Sequence, residues 1–272
     1  MELKQSHDLM TCSQPLPTVV KLTSKINVTN GCHSVSQHGP GIYVGFEGGV
    51  GLVTRDGEMS RVMSTRHNVH SVCLYDNEIY ALVFKSDGWS VRVYNLTYQL
   101  SDSWRHDERC EGSNQLVVRD NCVLIPNRDR KTIIQYSLAG EVKRLIACLV
   151  LKDADTWFCV TPSHCDTMIV SCDDAVSCID AGTGLYLWST ANLEKPTAVC
   201  CDDDDRVWVA VAGYSDTLQI AVLNCKTGET VSFLAGVCLC LSNTCQYQSA
   251  PDSDCQCLSA PLFTSILTAN IL

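Results

Sequence analysis

Charged residues are scarce in this sequence of 272 residues: Asp, Glu, Lys and Arg together make up 18% of it, whereas hydrophobic residues make up 46%. This balance is typical of a folded globular protein and excludes a disordered one. Cations are scarcest in residues 151–272, which hold 4 Lys or Arg against 15 Asp or Glu. That distribution excludes strong nonspecific binding of nucleic acid or anionic lipid by the whole surface, because such binding needs clustered cations.

Long apolar runs are lacking too. The segment MELKQSHDLMTCSQPLP has no basic stretch followed by the apolar core of a secretory signal, and no run is long enough to span a membrane. We therefore expect a cytoplasmic protein that does not bind membranes. In that reducing compartment, cysteines inside apolar runs, such as Cys73, Cys159, Cys178 and Cys200, are expected to be free thiols that pack as small hydrophobic residues.

Helical periodicity is nearly absent, and a strand pattern repeats in its place. The segments AVSCIDAGTGLYLWS (175–189) and TLQIAVLNCKTGETVSFLA (217–235) both read as an apolar strand, a Thr-Gly turn and a second apolar strand. The turn position of Gly184 and Gly228 recurs at Gly57, Tyr98 and Gly140, in steps of 41 to 44 residues. Each repeat contains four short segments with the period-two alternation of antiparallel strands.

The repeat predicts an all-β fold, a β-propeller. A single four-stranded sheet has two apolar faces, so neighbouring copies must cover each other, and a period of about 42 residues is typical of propeller blades. We predict six four-stranded blades, of which five are clear in the sequence and the sixth is closed by N- and C-terminal strands; five blades is the alternative. The predicted organisation is a flexible N-terminus (1–16), a single propeller domain (17–257) and a C-terminal tail (258–272).

Two blades carry a resemblance to a known family. The segment PNRDRKTIIQYSLAGEV (126–142) resembles the NHL repeat, in which a polar loop with Asn and Arg leads into an Ile-Gln-hydrophobic strand and a Gly turn. The preceding blade, EIYALVFKSDGWSVRVYNLTYQL, has a similar layout. The chain thus resembles the NHL-repeat β-propeller at the C-terminus of tripartite-motif proteins, without their ring, B-box and coiled-coil parts. The resemblance implies a module that binds a protein partner or RNA, and no ligase activity.

Motifs for catalysis, cofactors or metals are missing. Asp202–Asp205 occupy a strand-connecting turn and are interpreted as solvated, since a calcium site needs six to eight oxygen ligands in a set geometry. His67 and His70 are interpreted as surface residues, and the Cys-rich segment 237–260 lacks the C-x2-C pairs typical of zinc sites. Residues 179–189 also resemble quinoprotein blades, which we interpret as shared hairpin geometry. We predict no catalytic residue, cofactor or metal; a propeller-type lyase or hydrolase is the alternative.

The candidate partner-binding site lies on one face of the propeller. Connections between the second and third strands of a blade emerge on the same face as connections between blades, and we call this the loop face. The predicted partner-binding residues on it are Arg66, Lys85, Trp89, Arg105, His106, Arg109, Arg128, Arg130 and Lys131. Cations beside an aromatic residue suit an acidic peptide of a protein partner, with single-stranded RNA or merely solvated loops as alternatives. We expect a monomer.

Overall fold

The computed structural model describes residues 32–238, apart from 39–40, 55–57, 107–114, 128–129, 149–158, 164–165, 173–174, 192, 194–195, 203 and 213–216. These residues form twenty strands in five antiparallel sheets of four. Blades one and two comprise β1 (Cys32–His38), β2 (Gly41–Phe46), β3 (Gly49–Val53), β4 (Met59–Ser64), β5 (Asn68–Tyr75), β6 (Glu78–Lys85), β7 (Gly88–Asn95) and β8 (Leu100–His106). Blades three to five comprise β9 (Val117–Arg119), β10 (Cys122–Asn127), β11 (Thr132–Ser137), β12 (Val142–Ala147), β13 (Cys159–Pro162), β14 (Thr167–Cys172), β15 (Ala175–Asp180), β16 (Tyr186–Ala191), β17 (Pro196–Cys201), β18 (Arg206–Ala212), β19 (Thr217–Asn224) and β20 (Thr230–Cys238).

The five sheets are the blades of a β-propeller, as the repeat predicted. Within each sheet the strands lie side by side in chain order, and the first strands of successive blades contact one another around the axis. The segments 17–30 and 239–257, which would complete the predicted sixth blade, lie outside the described residues, as do Arg109 and Arg128. Among the described residues, no helix has the length and apolar character needed to cross a bilayer.

Tight turns join the first and second strands of a blade. Asp76 and Asn77 have φ of 46° and 61°, and Asp120 and Asn121 have φ of 50° and 57°. Two successive positive φ angles are the signature of a type I′ hairpin, for which Asp and Asn are favoured. These turns therefore have the conformation expected from the sequence.

The hydrophobic core lies between the blades. One cluster joins the second and third blades through residues such as Leu82, Val91, Ile125 and Ile134, all of which are buried. Further clusters join blades one and two, three and four, and four and five. Blades two, three and four therefore contribute both of their apolar faces to the core, which is the physical reason that successive repeats pack side by side.

Side-chain hydrogen bonds also join the inner strands of neighbouring blades. The hydroxyl oxygen of Ser34 in β1 accepts a 2.8 Å hydrogen bond from the backbone N–H of Val72 in β5. One blade further on, the hydroxyl oxygen of Ser71 accepts a 2.9 Å hydrogen bond from the N–H of Leu116. These bonds satisfy backbone donors that have no strand partner on that side, and they fix the wall around the propeller axis.

Candidate functional site on the loop face

The predicted cationic residues do lie at the loop face. Arg66 is exposed in the connection between β4 and β5, and Arg130 is exposed before β11. Lys85 ends β6, Arg105 is exposed near the end of β8, and Lys131 directly precedes β11. Against these five cations, the described connections of blades one to three carry the carboxylates of Glu47 and Asp87. Among the described residues of these connections and strand ends, cations therefore outnumber carboxylates.

Two of the predicted partner-binding side chains are not accessible, which corrects their assignment. His106 is only 1% exposed, and its Nδ1 lies 2.6 Å from the hydroxyl of Tyr136 in blade three. Trp89 is 9% exposed and pairs with His106 across the β7–β8 ladder. Residues paired in this way point to the same side of a sheet, here towards blade three. Both side chains therefore belong to the interface between blades and lie beneath the surface of the loop face.

Backbone groups of Arg130 and Lys131, which directly precede β11, make two hydrogen bonds. The buried side chain of Asn127 accepts a 3.0 Å hydrogen bond at Oδ1 from the N–H of Arg130. Lys131 has a φ of 52°, and its carbonyl oxygen accepts a 2.8 Å hydrogen bond from the N–H of Cys148. The backbone of these two cations is thus tied to Asn127 and to Cys148.

The sequence interpretation missed an aromatic and imidazole cluster at the same face, which we call the anchor cluster: His33, His70, Phe84 and Trp89. The ring centroids of His33 and His70 are 5.0 Å apart with an interplanar angle of 25°. His70 lies 4.8 Å from Trp89 and 6.4 Å from Phe84, and Phe84 lies 4.9 Å from Trp89. The side chain of Phe84 is 46% exposed. The anchor cluster therefore consists of buried Trp89, the half-buried rings of His33 and His70, and the exposed ring of Phe84.

Two β-bulges bring the histidines together. The register of the β1–β2 pair shifts between Cys32 and Ser34, and that of the β5–β6 pair shifts between Val69 and Ser71. The residues inside these shifts are His33 and His70. A bulge breaks the alternation of side chains and turns one of them in a new direction. Equivalent irregularities in adjacent blades thus place two imidazoles against each other, which corrects the interpretation of His70 as a surface residue.

Both imidazoles are held in the neutral form at pH 7. Burial and, to a smaller extent, the neighbouring His33 lower the pKa of His70 from 6.5 to about 4. Burial also lowers the pKa of His33, partly opposed by the carboxylate of Glu47. Among the described atoms, His33 Nε2 and His70 Nδ1 are buried without a hydrogen-bond partner. The anchor cluster is therefore uncharged at neutral pH although cations surround it.

The opposite face, which carries the hairpin turns, is acidic. Asp76, Asp120, Asp166 and Asp205 all adopt positive φ in the turn between the first and second strands of their blades. Asp120 pairs with Arg119 at 3.1 Å and Asp205 with Lys226 at 3.3 Å. Within the described ranges, no three His, Cys, Asp or Glu residues are grouped so that they could hold a metal ion. The two faces thus differ in the sign of their charge.

Asp202 differs from the other turn carboxylates and corrects the interpretation of this run as solvated. It is 9% exposed, and its Oδ2 accepts hydrogen bonds from Arg206 Nε at 2.7 Å and Trp208 Nε1 at 2.8 Å. Its Oδ1 accepts hydrogen bonds from the N–H groups of Asp204 and Arg206. A carboxylate with four donors is fully satisfied, so Asp202 stabilises the fold.

Comparison with known proteins supports the fold alone. No family model and no curated protein matches the sequence. A crystal structure of a protein of unknown function from Bacteroides caccae is similar with a TM-score of 0.60 and 11% identity, over 77% of this chain and 83% of that chain. A chain in the crystal structure of a mitotic checkpoint complex is similar with a TM-score of 0.56 and 13% identity, over 85% of this chain and 76% of that chain.

Proposed function

We propose that this chain is a non-catalytic protein-interaction module of the NHL-like propeller type, which presents its loop face to an acidic segment of a protein partner. The observation that carries this proposal is the exposed aromatic side chain of Phe84, which lies with exposed cations on one face of the propeller. A well-packed aromatic side chain with a polar rim is the usual anatomy of a protein interface.

The sign of the charge favours an acidic partner. Arg66, Arg105 and Arg130 are exposed at the loop face, whereas the opposite face carries the turn carboxylates. Complementary charge accelerates association and selects against partners of the same sign. Lys85 and Arg105 lie at strand ends, and the backbone of Arg130 is hydrogen-bonded to Asn127, which lowers the cost of ordering these cations on binding.

A selection of random peptides displayed on phage tests this function. The wild-type protein should enrich peptides rich in Asp and Glu, and a variant with Arg105→Glu and Arg130→Glu should bind them about tenfold more weakly. The control is Lys226→Glu on the opposite face, which should bind like the wild type. Absence of enrichment, or equal binding by the two charge-reversed proteins, would refute the proposal.

Binding of RNA is the other outcome that the cationic face allows. A fluorescein-labelled single-stranded RNA of mixed sequence, titrated at increasing salt, distinguishes it, because binding through phosphates weakens steeply with salt. Two results together would indicate an RNA-binding module instead of a protein-binding one. RNA would bind tightly in a salt-dependent way that Arg130→Glu abolishes, and no peptide would be enriched.

A further inference from the structure

Phe84 is unusual for a residue so close to the core. Its sequence neighbours Leu82 and Val83 are completely buried, whereas the Phe84 ring is 46% exposed. Large exposed apolar side chains occur elsewhere in the described residues, but mainly on the outermost strands, as for Leu145 in β12 and Leu187 in β16. Phe84 instead is the penultimate residue of β6, the second strand of its blade, and its ring contacts Trp89.

The surroundings of Phe84 are apolar in the centre and charged at the edge. Trp89 and His70 support the ring from the buried side, and His33 stacks on His70. Lys85 follows Phe84 directly, and Arg66 lies in the connection that precedes β5. A central apolar contact surrounded by polar groups that exclude water is the arrangement in which single side chains contribute most to binding.

We propose that the anchor cluster, His33, His70, Phe84 and Trp89, is a subsite that takes one aromatic or aliphatic side chain of the docked acidic segment. This inference rests on the proposed function and specifies the chemistry of the partner. The apolar residue would contact Phe84, while flanking Asp or Glu residues would face Lys85 and the arginines of the loop face.

The geometry of the imidazoles favours an apolar occupant over a metal ion or an anion. A ring nitrogen directs its lone pair within the plane of the ring, and the planes of His33 and His70 are stacked at 25°, so their lone pairs do not converge on one point. The nitrogen atoms His33 Nε2 and His70 Nδ1 are also buried, so they are not accessible to hydrogen-bond donors in the solvent. The two rings therefore act as apolar surface.

Neutral imidazoles are a condition for this role. Protonation of His70 would place a positive charge beneath Phe84. That charge would repel a second positive charge on the stacked ring of His33. The other titratable or charged groups near the pair are Glu47 from the β2–β3 connection, Lys85 from β6, and Arg66 and His67 from the β4–β5 connection. Of these groups, Glu47 favours protonation, because its carboxylate attracts a protonated His33 and so partly opposes the effect of burial.

The test uses the acidic peptide enriched by the wild-type protein, labelled with fluorescein. Phe84→Ala should weaken its binding about tenfold to thirtyfold, and Phe84→Trp should retain binding. Leu145→Ala, at a similarly exposed apolar residue of β12, is the matched control and should leave the affinity unchanged. Circular dichroism verifies folding, and Phe84→Gln serves as a second variant should Phe84→Ala unfold.

The pH dependence supplies a readout that a merely structural role of the histidines would not give. Binding by the wild type should stay constant down to about pH 6 and weaken as the pH falls towards about 4, where His70 takes up its proton, and His70→Phe should reduce that dependence. A peptide in which the apolar residue is replaced by Ser controls for protonation of the peptide and should lose the pH effect.

The outcomes separate the two proposals. If the enriched acidic peptides contain no apolar residue, or if Phe84→Ala binds as tightly as Leu145→Ala, the anchor subsite is refuted while the proposed function stands. If the wild-type protein enriches no acidic peptide, both are refuted.

Discussion

At the scale of single residues, the surroundings decide what a side chain does. Asp76 and Asp202 both follow the first strand of a blade, yet Asp76 is an exposed turn residue, whereas Asp202 is buried beneath an Arg and a Trp. Arg206 is 8% exposed, so its charge depends on Asp202 and on the neighbouring Asp204. A buried cation that loses its partner is strongly destabilising.

Replacement of Asp202 should therefore cost more than replacement of any exposed turn carboxylate. We expect Asp202→Ala to lower the free energy of unfolding by about 3 kcal/mol, because it leaves Arg206 without its buried partner and Trp208 Nε1 without an acceptor. Urea denaturation measures this change. Asp166→Ala, at an exposed turn position, is the control and should change stability by less than about 1 kcal/mol; equal losses would contradict the role of Asp202.

The imidazole pair makes stability depend on pH. The pKa of His70 is about 4 in the folded protein and 6.5 when it is unperturbed. Above pH 6.5 both states are neutral, and the stabilising contribution is complete. As the pH falls from 6.5 towards 4, the unfolded state takes up the proton first, so the folded state loses stability.

We expect wild-type protein to lose more stability between about pH 6.5 and about pH 4 than His70→Asn, which carries no proton at this position. Chemical denaturation at several pH values measures the free energy of unfolding of both proteins. Subtracting one profile from the other removes the contribution of the groups that both proteins share. A nuclear magnetic resonance titration should show that His70 stays neutral at pH 6. Parallel pH profiles of the two proteins would contradict a depressed pKa.

At the scale of strands and turns, the recurring glycines serve the contact between blades as well as the turn. Gly140 and Gly228 have φ of 84° and 72°, in the region that favours glycine. A Cβ on Gly140 would lie 2.4 Å from the ring of Trp104 in the preceding blade, and a Cβ on Gly228 would lie 2.4 Å from Trp188. Trp188 Nε1 also donates a 2.7 Å hydrogen bond to the carbonyl oxygen of Cys225. An outer-strand Trp thus packs on the turn of the next blade.

Alanine at these two positions should be costly. We expect Gly140→Ala and Gly228→Ala each to lower the free energy of unfolding by about 2 to 4 kcal/mol, because backbone strain adds to the collision with an indole ring. Gly88→Ala separates the two causes, since Gly88 has a φ of 117° but no atom within 4 Å of a Cβ. Thermal unfolding of the three variants measures the difference, and an equal loss in Gly88→Ala would show that the contact with Trp contributes nothing.

At the scale of the whole molecule, no described blade can bury the apolar faces of its sheet by itself. Four core clusters each join two successive blades, and the inner strands are joined by the hydrogen bonds of Ser34 and Ser71. Loss of one blade would expose an apolar face on each neighbour, so the blades depend on one another.

Hydrogen exchange followed by mass spectrometry measures this dependence. In mild denaturant the middle strands of blades two to five, which include β6, β10, β14 and β18, should exchange in one cooperative step, because exposure of one blade face uncovers its neighbour. Peptides from the exposed outer strands, such as β12 and β16, provide the faster-exchanging reference. Separate free energies of exchange for individual blades would contradict cooperation around the ring.

The period-two alternation and the spacing of the turn glycines determined the strands, the blade architecture and the face on which the cations lie, because a repeat of about 42 residues that cannot bury both faces has few solutions. Even Tyr98, which occupies the turn position of blade two, has the positive φ of 64° that its place in the repeat implies.

Only the tertiary structure decided which of those residues are accessible. Trp89 and His106 follow the same alternation as exposed residues, but the register of β7 and β8 turns them into the interface with blade three. His33 and His70 lie 37 positions apart in the sequence, and no local pattern predicts a contact between them. Two bulges and the packing of adjacent blades create that contact, because a bulge changes the direction of a side chain in a way that depends on strand pairing.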